Sequence, residues 1–279
     1  MLMDFQQRVQ RSLIMQDKLI FYFIIYSFLG WCLESIYKTI CLRKPVNSGF
    51  LYGPFCPMYG IGAVLMTSIG EISNNMIVIF LISFLVFSIW EYIVAVILEK
   101  LFKTKYWDYS DLKFNIQGRV CLKNSIYWGI LGGFLIFIIH PIIENLTNLI
   151  PSDILRYTNI ILCIAIIVDT SITIYRIMFI DKKIRQVFEI GDTLKEKIKE
   201  FKETEYKEKL SKENAQQFIN ELKEKQAILK FKLYKRIVRL KNAFPEMNSE
   251  NISKFMKQKI ELSELKEKIK ELKDKKFEK

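Results

Sequence analysis

The sequence predicts an all-α, polytopic transmembrane helix bundle with a cytoplasmic tail of amphipathic or coiled-coil helices. Two observations predict this fold class. Of the 42 Lys and Arg residues in the 279-residue chain, 28 lie after position 181, together with 18 of the 30 Asp and Glu residues. The part before that position consists of long apolar runs, and a helix needs about 20 such residues to cross a bilayer. We therefore divide the chain into an N-terminal interfacial segment (1–18), a transmembrane domain (19–181) and a cytoplasmic helical tail (182–279).

Five apolar runs reach the length of a membrane span, which predicts about five spans. They are 19–40, 51–69, 76–98, 125–143 and 154–180. Glycines and prolines interrupt the second run between positions 53 and 62. Broken backbone persists at membrane depth only where protein or a water-filled cavity satisfies its polar groups. The second run is therefore predicted to be either a kinked helix or a re-entrant segment.

The distribution of basic residues predicts the orientation, because Lys and Arg are retained on the cytoplasmic side of short loops. Two basic residues follow the first span and six lie between the third and fourth spans, whereas 71–75 and 144–153 contain none. This pattern predicts a multi-pass protein of the cell membrane with a cytoplasmic C-terminus. An outside N-terminus follows from five spans, although three basic residues within 1–18 oppose it.

The tail has apolar residues at spacings of three and four on a background of Lys and Glu, as in Val187, Ile190 and Leu194. This spacing is typical of an amphipathic helix or coiled coil, so we expect 182–279 to self-associate or to bind a partner helix. Because Lys and Glu alternate, the basic charge of the tail favours a solvated helical face. The alternative is attraction of this charge to anionic membrane lipid or to an acidic partner. Nucleic acid is not expected as a partner, because the aromatic residues lie on the apolar stripe rather than among the lysines.

Ionisable residues inside spans usually face a cavity or a partner helix, and they are the first candidates for a site. Glu34, Glu91 and Asp169 are such residues, and the predicted topology places them in the same half of the bilayer. We expect them to form a polar vestibule open to the cytoplasm, with Arg119 as a counter-charge. The alternative is that each carboxylate only fixes helix packing. His140, which precedes Pro141 at a span end, is expected to be an interfacial residue.

No metal site, cofactor or catalytic residue is predicted. The chain has one histidine, and its five cysteines occur singly rather than at metal-ligand spacing. An enzyme is therefore not the favoured interpretation.

Three segments of the sequence resemble those of a known protein family. They are NSGFLYGPFCPMYGIG (47–62), the Gly30, Trp31, Leu33, Glu34 pattern before it, and WDYSDLKFNIQGRVCL (107–122). They resemble the bacterial membrane family of CmpB-like ABC transporter permeases over roughly residues 19–145. The resemblance adds Tyr52 and Tyr59 to the substrate or vestibule candidates. The motif residues expected to shape the structure are Gly49, Gly53, Pro54, Pro57, Gly60, Trp107, Asp108, Tyr109, Asn115 and Gly118.

The resemblance implies a permease-type component that works with a separate ATPase. The chain has no GxxxxGK(S/T) phosphate loop, so nucleotide binding of that kind would belong to the partner. The basic, aromatic loop 99–124 is the expected docking segment for it. Two other classes stay open: a membrane enzyme or lipid-head-group-binding protein at the inner leaflet, and a membrane-anchored scaffold or sensor that acts through its tail.

Overall fold

The structure is a computed structural model that describes residues 2–70, 73–203, 209–245, 247 and 249–257. Its contacts divide the chain into two compact units. The first unit consists of Met1–Ile174 and Asn242–Met247, and the second of Tyr175–Lys241 and Asn248–Lys279.

Helices make up most of the described chain, which confirms the predicted all-α class. The elements in chain order are α1 (Leu2–Leu42), α2 (Pro57–Gly70), α3 (Met76–Phe102), β1 (Asn115–Ile116), β2 (Val120–Cys121), α4 (Leu122–Phe134), a π-helical turn (Leu135–Ile139), α5 (His140–Asn148), α6 (Ser152–Glu203), α7 (Lys209–Ala243) and α8 (Glu250–Lys257). The two strands pair antiparallel as a short hairpin in the loop between α3 and α4.

Four helical stretches are long and apolar enough to cross a membrane. They are Gln6–Leu42, Met76–Phe102, Leu122–Asn148 and Ser152–Glu200. These stretches contain the first, third, fourth and fifth of the runs predicted from the sequence. The first run extends further toward the N-terminus than expected, because α1 continues without interruption through the predicted interfacial segment. The predicted boundary near residue 182 falls inside α6, which is likewise continuous.

The second predicted run is helical only in α2, which has 14 residues. At about 1.5 Å per residue this helix is about 21 Å long, short of the roughly 30 Å of hydrocarbon. The preceding chain is not helical and runs along α1 toward the helix middle. The Ser48 amide donates to Ser35 Oγ at 3.1 Å, and the Cys56 amide donates to the carbonyl of Ser27 at 2.9 Å. We call residues 43–56 the descending segment.

Glycines allow α2 to approach α1 closely. A Cβ atom at Gly60 would collide with the side chain of Ser27 and the backbone of Phe23, and one at Gly30 would collide with Tyr59. Small residues permit this kind of contact between membrane helices, where backbones pack at short distance. The same contacts fix the direction of α2, since positions later in α2 meet positions earlier in α1. The two helices are therefore antiparallel.

The remaining contacts show that successive spanning elements alternate in direction. Helices α2 and α3 are antiparallel, because Met58 contacts Trp90 and Met66 contacts Ser83. Helices α3 and α4 are antiparallel as well, because Ser88 contacts Ser125 and Ser83 lies against Gly132. Helix α6 runs parallel to α1, because Asp17 meets Arg156 and Ile24 packs with Ile166. The descending segment and the α3–α4 loop therefore begin at the same end of the bundle, which we call the basic end. Residues 73–75 and 149–151 lie at the opposite end.

The second unit is built on the apolar stripe predicted for the tail. Val187 and Leu194 of α6 and Leu233 and Leu240 of α7 are buried. Gln226 Nε2 donates to the carbonyl of Val187 at 3.2 Å, which joins the two helices. The predicted continuation at Ile252 and Phe255 is buried as well. The further stripe positions Leu262, Leu265, Ile269 and Leu272 lie outside the described residues, and coiled-coil association stays a prediction.

Candidate functional site

A cavity of about 250 Å³ lies inside the first unit, between α1, α2, α3, α4 and the π-helical turn. Its walls are largely aromatic and aliphatic. The aromatic lining residues are Tyr26, Tyr59, Phe87, Trp90, Trp128 and Phe134. Glu91 is the acidic residue among the described residues that line it. The site thus combines an apolar interior with one carboxylate, which is the usual composition of a small-molecule site.

The carboxylate of Glu91 is buried, with 3% of the residue exposed. Its oxygens accept three hydrogen bonds from neutral groups: the Tyr109 hydroxyl at 3.1 Å, Asn124 Nδ2 at 3.3 Å and Trp128 Nε1 at 2.9 Å. Within the described part of the chain, no Lys or Arg forms an ion pair with it. Hydrogen bonds from these neutral donors offset part of the cost of burying the carboxyl group.

A second carboxylate, that of Glu34, reaches the cavity wall through Tyr59. The Tyr59 hydroxyl donates to Glu34 Oε1 at 2.6 Å, and Lys38 Nζ lies 3.0 Å from Oε2. The ring of Tyr59 also packs on Trp128 with the ring centroids 5.5 Å apart. Trp128 in turn donates to Glu91, so the structure brings Glu34, Tyr59 and Glu91 together through a chain of direct contacts. These three residues were predicted as site candidates from the sequence.

Asp169 has its described contacts elsewhere, with the descending segment. Its carboxylate accepts from the backbone amide of Tyr52 at 3.2 Å and from that of Gly53 at 2.7 Å. A Cβ at Gly53 would come within 3.1 Å of the same carboxylate. Non-helical backbone inside a membrane needs internal partners for its N–H groups, and Asp169 supplies them for two residues. The predicted candidates Asp169, Tyr52 and Gly53 therefore form an anchor for the broken span.

Arg119 is paired with Glu99 rather than with the vestibule acids. Its guanidinium lies 2.7 Å from Glu99 Oε2 and 5.4 Å from the ring centroid of Tyr92. The hydrogen bonds with Glu99 raise the pKa of Arg119 above its ordinary value. The sequence did not indicate Glu99 as the partner of Arg119. Glu99 is followed by basic residues at the start of the loop, whereas the acids within the apolar spans stood out as candidates. The ion pair ties the end of α3 to the hairpin.

The motif WDYS…N…GR builds the hairpin itself. Trp107 Nε1 donates to the carbonyl of Arg119 at 3.0 Å, and the Gly118 amide donates to Asn115 Oδ1 at 3.0 Å. Gly118 has φ +72°, and a side chain there would collide with the carboxylate of Asp108. Left-handed backbone is the conformation that glycine adopts most readily. These residues therefore fix one loop conformation.

That conformation directs Tyr109 at Glu91. The Tyr109 amide donates to the carbonyl of Gly118 at 2.7 Å, while its hydroxyl reaches Glu91 and Asn124. Burial raises the pKa of Tyr109 well above its ordinary value, so the hydroxyl keeps its proton. The sequence marked Tyr109 as a motif residue but gave no signal that it would contact a membrane-embedded acid.

The other motif positions shape the descending segment. Gly49 has φ +110°, Pro57 is the first residue of α2, and Pro54 lies exposed between them. Proline is favoured at the first position of a helix, where its missing N–H needs no partner. His140, expected to be an interfacial residue, contacts α1, where its ring nitrogen Nδ1 lies 2.7 Å from the Tyr26 hydroxyl.

One contact at the basic end was not anticipated. Lys38 donates a hydrogen bond to the carbonyl of Ala243, and its ammonium lies 5.0 Å from the ring centroid of Phe244. Phe244 also packs edge-on against Tyr106 at 5.0 Å. The partner of Glu34 is thus held by the Asn242–Met247 segment of the first unit. No sequence signal could pair positions about 200 residues apart.

A protein-family comparison matches residues 21–174 to the family described as Putative ABC-transporter type IV. The match covers more than half of the chain and includes every element that forms the cavity and the hairpin. Neither the curated proteins nor the solved structures contain a match to this chain.

Proposed function

The chain belongs to the Putative ABC-transporter type IV family, and from this premise we propose that it is the permease-type subunit of a transporter that works with a separate ATPase. Membership in the family makes it a membrane component of a transport system. The substrate site, the ATPase partnership and the orientation in the cell membrane are the finer parts of the proposal.

The cavity beside Glu91 is the proposed substrate site. It is lined in part by α2, the helical part of the broken second span, and discontinuous helices are common at the binding sites of transporters. Tyr59 at the start of α2 and Trp128 on α4 connect the cavity to both carboxylates. A buried ionisable residue in a membrane span is also the usual mark of a substrate or ion pathway.

The contact between Tyr109 and Glu91 carries the proposal. It is a direct link between a structured loop at the basic end and the carboxylate in the cavity wall. A partner that moves the hairpin would withdraw the hydroxyl and leave Glu91 with one donor fewer. The affinity of the cavity would then differ between the two loop positions, and such differential binding is what couples a conformational change to a ligand.

The hairpin offers the surface on which an ATPase would dock. Five basic residues occur from Lys103 to Lys123 inclusive, and by the positive-inside rule we expect this loop and the tail to lie in the cytoplasm, where ATP is available. Two contacts hold the hairpin in one conformation. The guanidinium of Arg119 pairs with Glu99, and Trp107 donates a hydrogen bond to the carbonyl of Arg119. An ordered, charged loop is a better docking surface than a mobile one because less entropy is lost on binding.

Affinity purification from the native cell membrane in a mild detergent tests the partnership. We expect the wild-type chain to copurify with a protein that carries a GxxxxGK(S/T) loop, and Arg119→Ala to lose most of it. Arg156→Ala is the matched control, because it also removes an arginine from an ion pair with a carboxylate, that of Asp17, at the other end of the bundle. Tyr109→Phe should keep the ATPase, since its hydroxyl points into the bundle rather than at the docking surface.

Recovery of the same ATPase with the wild type and Arg119→Ala would contradict docking at the hairpin. Failure to recover any such ATPase with the wild type would remove the partnership itself.

A further inference from the structure

We infer that the cavity beside Glu91 binds a lipophilic organic cation that reaches it from the bilayer. This inference deepens the proposed function by naming a substrate class, and it rests on that function for the claim that the bound cation is transported. Binding itself is a property of the purified chain.

Charge is the first argument. Glu34 has a cationic neighbour in Lys38 at 3.0 Å, whereas the three described donors to Glu91 are neutral. A buried carboxylate is strongly stabilised by a cation in direct contact. A ligand with a positive charge would be the cationic partner of Glu91, whereas an anion would lie against the same carboxylate. An uncharged ligand would leave Glu91 as it is.

Aromatic walls are the second argument. Tyr59, Trp90 and Trp128 line the same cavity as Glu91. Faces of aromatic rings attract cations, and aromatic cages are the usual receptors for quaternary ammonium groups. The indole N–H groups of both tryptophans are already used, by Met58 O at 2.8 Å and by Glu91 at 2.9 Å. What these residues offer a ligand is therefore ring surface rather than hydrogen-bond donors.

The mouth of the cavity is the third argument. Leu29, Leu33 and Phe134 line the cavity and are 37%, 43% and 50% exposed, and from this exposure we infer that its opening lies among them. They belong to the spanning helices α1 and α4, where exposed leucine and phenylalanine side chains face hydrocarbon rather than water. A molecule passing between them moves through an apolar opening. The ligand must therefore carry substantial apolar surface together with its charge.

Isothermal titration calorimetry on the purified full-length chain in a mild non-ionic detergent tests the inference. The probes are benzyltrimethylammonium and, as an anion of similar size, benzenesulfonate. We expect saturable binding of the cation alone. Glu91→Gln should weaken it at least about tenfold, since one buried charge partner is removed. Glu144→Gln, which neutralises an exposed carboxylate on α5, should change it less than about twofold.

Leu33→Trp provides a second variant that leaves Glu91 and its donors intact. The larger ring at the mouth should also weaken binding, even if Glu91→Gln fails to fold. Equal affinity in the wild type, Glu91→Gln and Leu33→Trp, equal binding of benzenesulfonate, or no saturable binding of the cation would each overturn the inference. Those results would leave ATPase copurification unchanged. Loss of the ATPase partnership would conversely leave cation binding by the purified chain unchanged.

Discussion

Removal of the Asp169 carboxylate should release the descending segment from the bundle. In the structure this carboxylate accepts two backbone hydrogen bonds, from Tyr52 and Gly53, at 3.2 and 2.7 Å. A hydrogen bond to a charged acceptor contributes about 1.5–3 kcal/mol. Asp169→Ala should therefore lower the free energy of local opening of the descending segment by about 3–6 kcal/mol. Asp169→Asn keeps one acceptor oxygen and should lose about half of that amount.

Cys56 reports this opening directly. It lies in the descending segment and is 9% exposed, whereas Cys41 is exposed and Cys121 is buried outside the segment. Alkylation by a maleimide, followed by mass spectrometry of each cysteine peptide, gives the rate at Cys56 relative to both references. Since 1.4 kcal/mol corresponds to about tenfold, a loss of 3 kcal/mol should accelerate the reaction by about 100-fold.

The comparison variants make the test specific. Asp192→Ala removes a carboxylate from the same helix, α6, where it forms a surface pair with Lys195 and is 75% exposed. Such pairs contribute little, so the Cys56 rate should not change. The alkylation rate at Cys56 should be slowest in the wild type, faster in Asp169→Asn and fastest in Asp169→Ala. An unchanged Cys56 rate in Asp169→Ala, or an equal rise at Cys121, would refute the local anchoring that we derive.

Three further substitutions test the packing and the hairpin. Gly60→Ala should destabilise the bundle by about 1–3 kcal/mol through overpacking, whereas Gly133→Ala, which has open space at its Cβ, should not; thermal unfolding in detergent separates them. Gly118→Ala should cost about 1–2 kcal/mol because its φ is left-handed, and faster hydrogen exchange at the Tyr109 amide would show it. Tyr109→Phe should lower stability by about 1–3 kcal/mol, since Glu91 loses one of its donors, and a melting temperature equal to the wild type would contradict the contact.

The spans follow from apolar run length, and the structure supports four of them as long helices. The second run was the one marked by glycine and proline, and it consists of the end of the descending segment and the short helix α2. Local composition predicted the break because proline lacks an N–H and glycine lowers helix stability. It could not predict where helix resumes, since Pro57 begins α2 beside the middle of α1 through the contact of Cys56 with Ser27.

The candidate site was predictable in part. Carboxylates within apolar runs are rare and expensive, which singled out Glu34, Glu91 and Asp169 before any coordinates. The sequence did not predict their different roles. Glu34 and Glu91 accept hydrogen bonds from residues of the cavity wall, whereas Asp169 accepts them from the backbone of the descending segment. Arg119 was expected near these acids but pairs with Glu99 at the end of α3. The partner of each charged side chain depends on distances between residues that are not adjacent in the chain.

The sequence by itself determined that the chain is a helical membrane bundle with a charged helical tail, because transfer of apolar runs and charges between water and hydrocarbon depends on composition and length alone. Only the tertiary structure decided which acid lines the cavity, which acid anchors the broken span, and that Tyr109 connects the hairpin to Glu91. Those assignments depend on the glycine contacts that set helix spacing, and on where hydrogen-bonding groups lie when the helices have packed.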